Sequence, residues 1–491
     1  MNARADLSTL EGSGLIQIAA LQPELEYMFR HALVQEAAYA SLLKQDRRTL
    51  HRSAAETILA LHPGSRGELA AVVGMHYELA GDAASAAEFL VVAGDHAFEH
   101  FANKEAVRFF RRASVLVAGA NPNLELRAAI GGAKAGWTLM DSEVALQELD
   151  RAIAGAAGAD QKLVAEGYFW LAFMRRQRGE VPESSPELKH ALERAAEIGT
   201  TMNDPNAAAL PKALMGSFIA FTGNLREGAK EMVEALPVLE AGGDAVSVAI
   251  VGDFLSLTYS RLGEFAAAEE TIERARQFAG DGDAIARVDV DIAQSGLNLE
   301  RGEAELASRQ AHECSERAEG LGAYACVVAS NVMFGAASLA KEDAISAKQP
   351  LERGNELSVV TNMAPMRTLL RALLGSTRMR LGDVSGGVAD WDQALANARD
   401  MSDRYGEAQT LWGRGRTYAR RPDADLPAAL ADLDRATQLF EAMGTRPALA
   451  RALHDQAVVL RSLGRSEEAE AVDGRSQRLG HELGLRDMPF A

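Results

Sequence analysis

Apolar residues in this chain recur at helical spacing and are interrupted by short polar turns at nearly constant intervals. In the stretch from Asp253 to Ala275, Leu255, Ser256 and Tyr259 share one face, and Gly263-Glu264 breaks the run. Phe265, Ala268, Ile272 and Ala275 then form a second stripe at spacings of three and four. The pattern predicts helix, turn, helix. Two short amphipathic helices cannot bury both apolar faces alone, so they are expected to stack on copies of themselves.

The copies are visible in the turns. Gly223-Asn224, Gly263-Glu264, Gly302-Glu303, Glu342-Asp343, Gly382-Asp383, Pro422-Asp423 and Gly464-Arg465 follow one another at 39 to 42 residues, with earlier examples at Gly81-Asp82 and Gly179-Glu180. Seven residues before these turns stands a small residue, as at Gly74, Gly216, Ser256, Ser295, Gly335, Gly375 and Gly415. Five residues after most of them stands another, as at Ala86, Gly228, Ala268, Ala307, Ala347 and Gly387. Glycine inside a helix costs about 1 kcal/mol against alanine. A recurring small residue there therefore predicts that a partner helix passes too close for a larger side chain.

Val73-Gly74 with Tyr77, Leu255-Ser256 with Tyr259, Leu374-Gly375, and the run from Ala268 to Ala275 resemble the tetratricopeptide repeat. The period exceeds the usual 34 residues, which implies longer helices or longer loops such as the one through Asp281 and Asp283. The fold class expected is all-α, a tetratricopeptide-like α-α superhelix or solenoid, right-handed as that family implies. The first helices of the pairs would line its concave groove.

The first 30 residues do not share the period. They read as the tail of a helix at Asp6–Leu10, a strand at Leu15–Ala20, a turn at Gln22-Pro23 and a strand at Leu25–Phe29. The following run, EYMFRHALVQEAAYASLLKQDRRTLHRSAAE, resembles the junction in bacterial signal-transducing P-loop ATPases, including cyclase-coupled and LuxR-type regulators. There a winged helix leads through a helix pair into a long solenoid. That resemblance implies a regulatory module that senses a protein or peptide partner and restrains an ATPase or cyclase. No G-x-x-x-x-G-K-[ST] occurs, so no ATPase and no nucleotide cofactor is inferred. Residues 1–30 are read as a winged-helix remnant, 31–62 as linking helices, 63–180 as irregular helical repeats, 181–474 as regular repeats of about 40 residues, and 475–491 as a cap.

Net charge sharpens the choice of partner. The chain carries -18, of which residues 1–60 account for only -1, with six Lys/Arg against seven Asp/Glu. An acidic solenoid repels phosphate backbones, so nucleic acid is not an expected partner. Neither a basic head with an apolar core at the start nor an apolar run of membrane length is present, which leads to the expectation of a cytoplasmic protein. Cys314 and Cys326 have no metal or redox spacing, and Cys314 falls at the buried small position of Ala275.

Three motifs are candidates for chemistry. His96-Ala97-Phe98-Glu99-His100 matches H-x-x-E-H, which would place two histidines and a carboxylate on one helical face, as a metal-dependent hydrolase requires. No third ligand can be nominated, so this is the alternative to a non-catalytic binding module, with no metal assigned. Asp281, Asp283, Asp289 and Asp291 miss the spacing of a calcium loop. Arg175, Arg176 and Arg178 form a basic cluster at the end of a first helix. They are candidates either to receive an acidic peptide or carboxylate terminus in the groove, or to cap helix carbonyls and pair with Glu180 and Glu183.

Overall fold

The computed structural model describes every residue except 1–2, 21–24, 101, 140–141, 180–181, 183, 244, 281–283, 362 and 488–491. The Gln22-Pro23 turn, Glu180, Glu183, and Asp281 with Asp283 lie outside the described residues.

The repeated turn works because a helix C-cap and the next N-cap share two residues. At Gly81-Asp82 the glycine takes a left-handed φ of 79°, its N–H donates to Glu78 O, and the Asp82 N–H donates to Tyr77 O. Asp82 then accepts from the Ser85 N–H at 3.1 Å and starts the next helix. Gly382-Asp383 repeats the device, with Asp383 accepting from the Gly386 N–H at 2.9 Å. Glu342-Asp343 repeats it as well, although Glu342 is no glycine and still holds φ at 62°.

In order, the chain forms α1 (Ala3–Gly12), an antiparallel hairpin of β1 (Ile16–Ala20) and β2 (Glu26–Phe29), α2 (Ala32–Ser41) and α3 (Lys44–Leu61). The solenoid follows as α4 (Arg66–Ala80), α5 (Ala83–Glu99), α6 (Asn103–Val117), α7 (Pro122–Leu139), α8 (Ser142–Ala154), α9 (Gln161–Arg178), α10 (Pro186–Thr201), α11 (Pro205–Phe221), α12 (Leu225–Gly242) and α13 (Ala245–Leu262). It continues with α14 (Phe265–Ala279), α15 (Ala284–Glu300), α16 (Ala304–Leu321), α17 (Tyr324–Ala340), α18 (Ala344–Val360), α19 (Arg367–Arg380), α20 (Val384–Met401), α21 (Arg404–Ala419), α22 (Leu426–Met443), α23 (Arg446–Ser462) and α24 (Ser466–Leu483). Among the described residues, no helix is long and apolar enough to cross a membrane.

The small residues are the crossing points of consecutive helices. A Cβ on Gly216 would lie 2.7 Å from the Gly228 carbonyl oxygen, and one on Gly387 would lie 2.9 Å from the Gly375 carbonyl oxygen. Ser295 uses its hydroxyl in the same place, donating to Ala307 O at 2.9 Å. At Gly335 a side chain would collide with Leu351, and at Gly375 with Trp391. The apolar faces close over these crossings into successive core clusters, with Trp391, Phe440, Phe110 and Phe173 fully buried.

From α5 onward, each odd-numbered helix also lies against the next odd-numbered one, and this row is the inner wall. In the first pair it is therefore the helix after the Gly81 turn, not the one before it, that joins the inner row. The spiral comes round on itself. Helix α7 touches α17 and α13 touches α23, each ten helices further along, so one superhelical turn takes five helix pairs.

Successive turns are stapled where they meet. The Ala364 N–H donates to Gln177 O at 2.7 Å, and the Arg486 N–H donates to Arg301 O at 3.0 Å. Past α24, Leu485 buries against Ala450, which sets the Arg486 strap in place.

Candidate functional site

From α13 to α21 the inner helices end one to three residues before their turns, and the position two before each turn faces one shared space. Arg261, Glu300, Ala340, Arg380 and Arg420 occupy this same repeat position, and all five line one internal cavity of about 340 Å³. Because the second turn of the spiral sits over the first, α21 and α23 close the space that α13, α15, α17 and α19 open. Leu257, Leu299, Val332, Met333, Leu373 and Trp412 supply an apolar wall. Ligand sites of this kind are concave, largely apolar and fitted with a few convergent polar groups.

The polar groups are unusual for so acidic a chain. Five arginines, Arg261, Arg380, Arg416, Arg420 and Arg451, face the cavity together with only three carboxylates, Glu300, Asp455 and Asp487. Arg451 is fully engaged, since it bonds Asp487 Oδ2 at 2.8 Å and the Glu300 carbonyl at 2.9 Å, with Glu300 Oε2 at 3.3 Å. Tyr405 donates its hydroxyl to Glu300 Oε1 at 3.1 Å. Burial and the adjacent Glu300 charge push its phenol well above the usual range, so it stays a donor.

Arg261 is held differently. Its guanidinium carbon sits 3.8 Å from the centre of the Tyr405 ring and 5.6 Å from that of Phe221, and its Nε is buried without a hydrogen-bond partner. At the far side of the cavity, Arg416 bonds Glu342 at 2.8 Å and lies 3.7 Å from Asp455, whose other oxygen accepts from Trp412 Nε1 at 2.7 Å. Thus the wall offers aromatic and apolar surface with cationic nitrogens set into it, an arrangement that binds a ligand with an apolar body and an anionic end.

The three arginines singled out in the sequence part company. Arg176 is buried and lies over Phe218, Phe221 and Phe254, 4.5 Å from the Phe221 ring centre. Phe221 thereby stands between Arg176 and Arg261, which carries the interior row of cations and rings from α9 to α21. Arg175 bonds Asp150 on α8 at 2.8 Å. Arg178 closes α9, half-buried, beside the Gly179 turn. None of the three is among the residues lining the cavity.

His96 and His100 face each other at the end of α5, with ring centres 4.3 Å apart, and His100 Nδ1 bonds the His96 carbonyl at 2.8 Å. Glu99 is exposed. Among the described residues, no group of three or more His, Cys, Asp or Glu side chains is placed to hold a metal ion.

A second buried cluster lies on the same inner helices, towards their N-terminal ends. Cys326 donates its thiol to Asp289 Oδ1 at 3.0 Å. Burial, together with the Asp289 charge, raises its pKa well above the ordinary thiol value. Burial and then the Asp289 charge push Asp253 up to about 7. Cys314, buried in the core as its repeat position predicts, is pushed up to about 11 by burial. Neither cysteine is a thiolate at neutral pH, and neither is in a disulfide.

No family model matches this sequence, and no curated protein matches it. Among solved structures the chain is similar to the crystal structure of Rap protein complexed with competence and sporulation factor. The two share 13% identity, with 73% of this chain and 98% of that chain covered, at a TM-score of 0.53. It is also similar to the Cut9-Hcn1 hetero-tetramer of APC/C, at 14% identity, 92% and 90% coverage and a TM-score of 0.47. A third similar structure is the Signal Transduction ATPase with Numerous Domains protein with a tetratricopeptide repeat sensor from Pyrococcus horikoshii. There the identity is 17% and the TM-score 0.47, with 81% of this chain covering 59% of that one. The likeness to the Rap structure shows the fold, an all-helical tetratricopeptide-like solenoid.

Proposed function

We propose that this chain is a non-catalytic regulatory solenoid that senses a small ligand or the end of a short peptide inside its superhelical channel. One observation carries the reading: the side chains that line the cavity are also those that staple one superhelical turn to the next. Glu300, Tyr405, Arg451 and Asp487 do both. A ligand that draws on these groups changes how tightly the turns close, and the spacing of the turns sets the shape of the outer surface. Binding is thereby converted into a conformational difference that a partner can read.

The cavity volume suits a few residues or a metabolite rather than a folded domain. The Rap structure, which is complexed with competence and sporulation factor, is consistent with a solenoid of this fold taking up a ligand. The resemblance of the N-terminal junction to signal-transducing ATPases points to an ATPase or cyclase as the partner that receives the output. His96, Glu99 and His100 supply no observation in favour of hydrolysis.

The test uses the apolar tripeptide acetyl-Leu-Ala-Leu, titrated calorimetrically into the protein. Ala336 lines the cavity and is only half-buried, so Ala336→Trp fills the channel. Saturable binding to the wild type that is lost in Ala336→Trp is the expected result. Binding that survives the blocked channel, or no binding to either protein, would overturn the reading.

A further inference from the structure

At the rim of the cavity one carboxylate is shared by three arginines from two inner helices and the turn after them. Glu342 Oε2 accepts from Arg380 at 2.8 Å, while Oε1 accepts from Arg416 at 2.8 Å and from Arg420 at 2.7 Å. All three arginines line the cavity. We propose that this triad is a carboxylate subsite for the channel's ligand, and that Glu342 is its resident occupant, displaced when the ligand binds. The proposal rests on the channel reading above and names the chemistry of the ligand's end.

Three features set this site at Glu342 apart from the acids that line the cavity. It stands at the turn position where Gly263, Gly302 and Gly382 stand in neighbouring repeats, and it holds a left-handed φ of 62° that favours glycine. A residue held there against its backbone preference points to a role for its side chain. That side chain is 52% exposed, so water receives it once another anion takes over its three arginine bonds, whereas Arg380 is only 16% exposed. The arginines also have anchors that do not depend on Glu342: Arg380 reaches the Leu339 carbonyl at 3.3 Å, and Arg416 lies beside Asp455.

The geometry selects the ligand group. Two oxygens in one plane satisfy three guanidinium donors, which is the pattern of a carboxylate. Burial lowers the pKa of Arg380, the Glu342 carboxylate raises it, and the neighbouring charges of Arg416 and Arg420 lower it again. Three guanidinium groups gathered around one point repel one another, and the Glu342 carboxylate between them offsets that repulsion. A tethered competitor acts at high effective concentration. Free anions of the cell are therefore turned away, while a ligand that also fills the apolar channel wins.

Isothermal titration at low ionic strength tests this with succinate, inorganic phosphate, and the tripeptide acetyl-Leu-Ala-Leu as free acid and as amide. In Glu342→Gln, succinate and the free acid are expected to bind at least ~10-fold more tightly than in the wild type, about 1.4 kcal/mol, with the amide unchanged. Arg416→Gln added to that variant removes the gain, and Glu441→Gln, the same charge change far from the rim, produces none. Glu342→Gly, which restores the usual turn residue, reproduces the result if glutamine perturbs folding. An equal gain for the amide, or no gain for succinate in either folded variant, overturns the subsite. A larger gain for phosphate than for succinate overturns the carboxylate assignment. A succinate gain without tripeptide binding keeps the subsite and sinks the channel reading; tripeptide binding lost in Ala336→Trp with no succinate gain does the reverse.

Discussion

Gly375→Ala puts a methyl carbon 2.5 Å from Trp391 Cδ1 and 2.6 Å from its Nε1, where non-bonded carbons settle at about 3.5 to 4.0 Å. The indole cannot retreat. Trp391 is fully buried, donates Nε1–H to Ala372 O at 3.1 Å and meets the Tyr418 ring edge-on at 5.3 Å. Either α19 and α20 move apart or the buried hydrogen bond breaks. Overpacking of this kind costs about 1 to 3 kcal/mol, and the helical preference of alanine returns up to about 1 kcal/mol. With that return in full, the net loss expected is about 0 to 2 kcal/mol. At Gly296 the same substitution meets only Met333 Sδ, at 3.7 Å. That is ordinary contact, so Gly296→Ala should gain about 0.5 to 1 kcal/mol. Urea unfolding followed by circular dichroism reads both, and amide exchange in α19 and α20 localises the first, because repeat arrays open in parts. Equal stability of the two variants would refute the reasoning that the recurring small residues are set by helix approach.

Arg451→Ala leaves Glu300 and Asp487 facing each other across the seam between turns, and should cost about 3 to 5 kcal/mol; a loss below about 1 kcal/mol by urea unfolding would mean that the staple does not hold the spiral closed. Asp253, raised to about 7 by burial and then by Asp289, keeps its proton in the folded state while the unfolded chain gives it up near the ordinary carboxylate pKa. Its contribution therefore falls as pH rises from about 4 to 7, so Asp253→Asn should stabilise the protein by about 1 kcal/mol or more at pH 8 and by almost nothing at pH 4. A gain independent of pH would show that it comes from packing. His51 Nδ1 bonds His76 Nδ1 at 2.9 Å and Tyr39 bonds the other ring nitrogen of His51 at 3.0 Å. Burial and then the His51 charge lower the pKa of His76, so the folded state favours neutral His76 and loses stability as pH falls through the ordinary histidine range. Limited proteolysis between α3 and α4 should speed up below about pH 6, and His76→Gln should flatten that dependence.

The local unit was legible in the amino-acid sequence because its causes are local. A glycine before an aspartate ends one helix and caps the next, and a small residue seven before the turn marks a crossing whichever repeat it belongs to. The buried position of Cys314 follows from the same periodicity. A further signal was present and easily passed over: the position two before each turn reads Arg261, Glu300, Ala340, Arg380 and Arg420, and those are the cavity's own residues. The cluster at Arg175, Arg176 and Arg178 drew attention because its charges are adjacent in sequence. Adjacent helical residues point in different directions: Arg176 turns into the aromatic interior and Arg175 to Asp150 on α8.

What only the tertiary structure decided is the closure of the spiral. Five helix pairs per turn is the sum of small rotations between neighbours, none of which is encoded in any single repeat. That sum brings Tyr405 to Glu300, Arg451 to Glu300 and Arg416 to Glu342 across separations of 105, 151 and 74 residues. Patterns along the chain report which face of a helix is buried. They do not report which distant turn comes to lie over it, and in this protein that overlap makes the cavity.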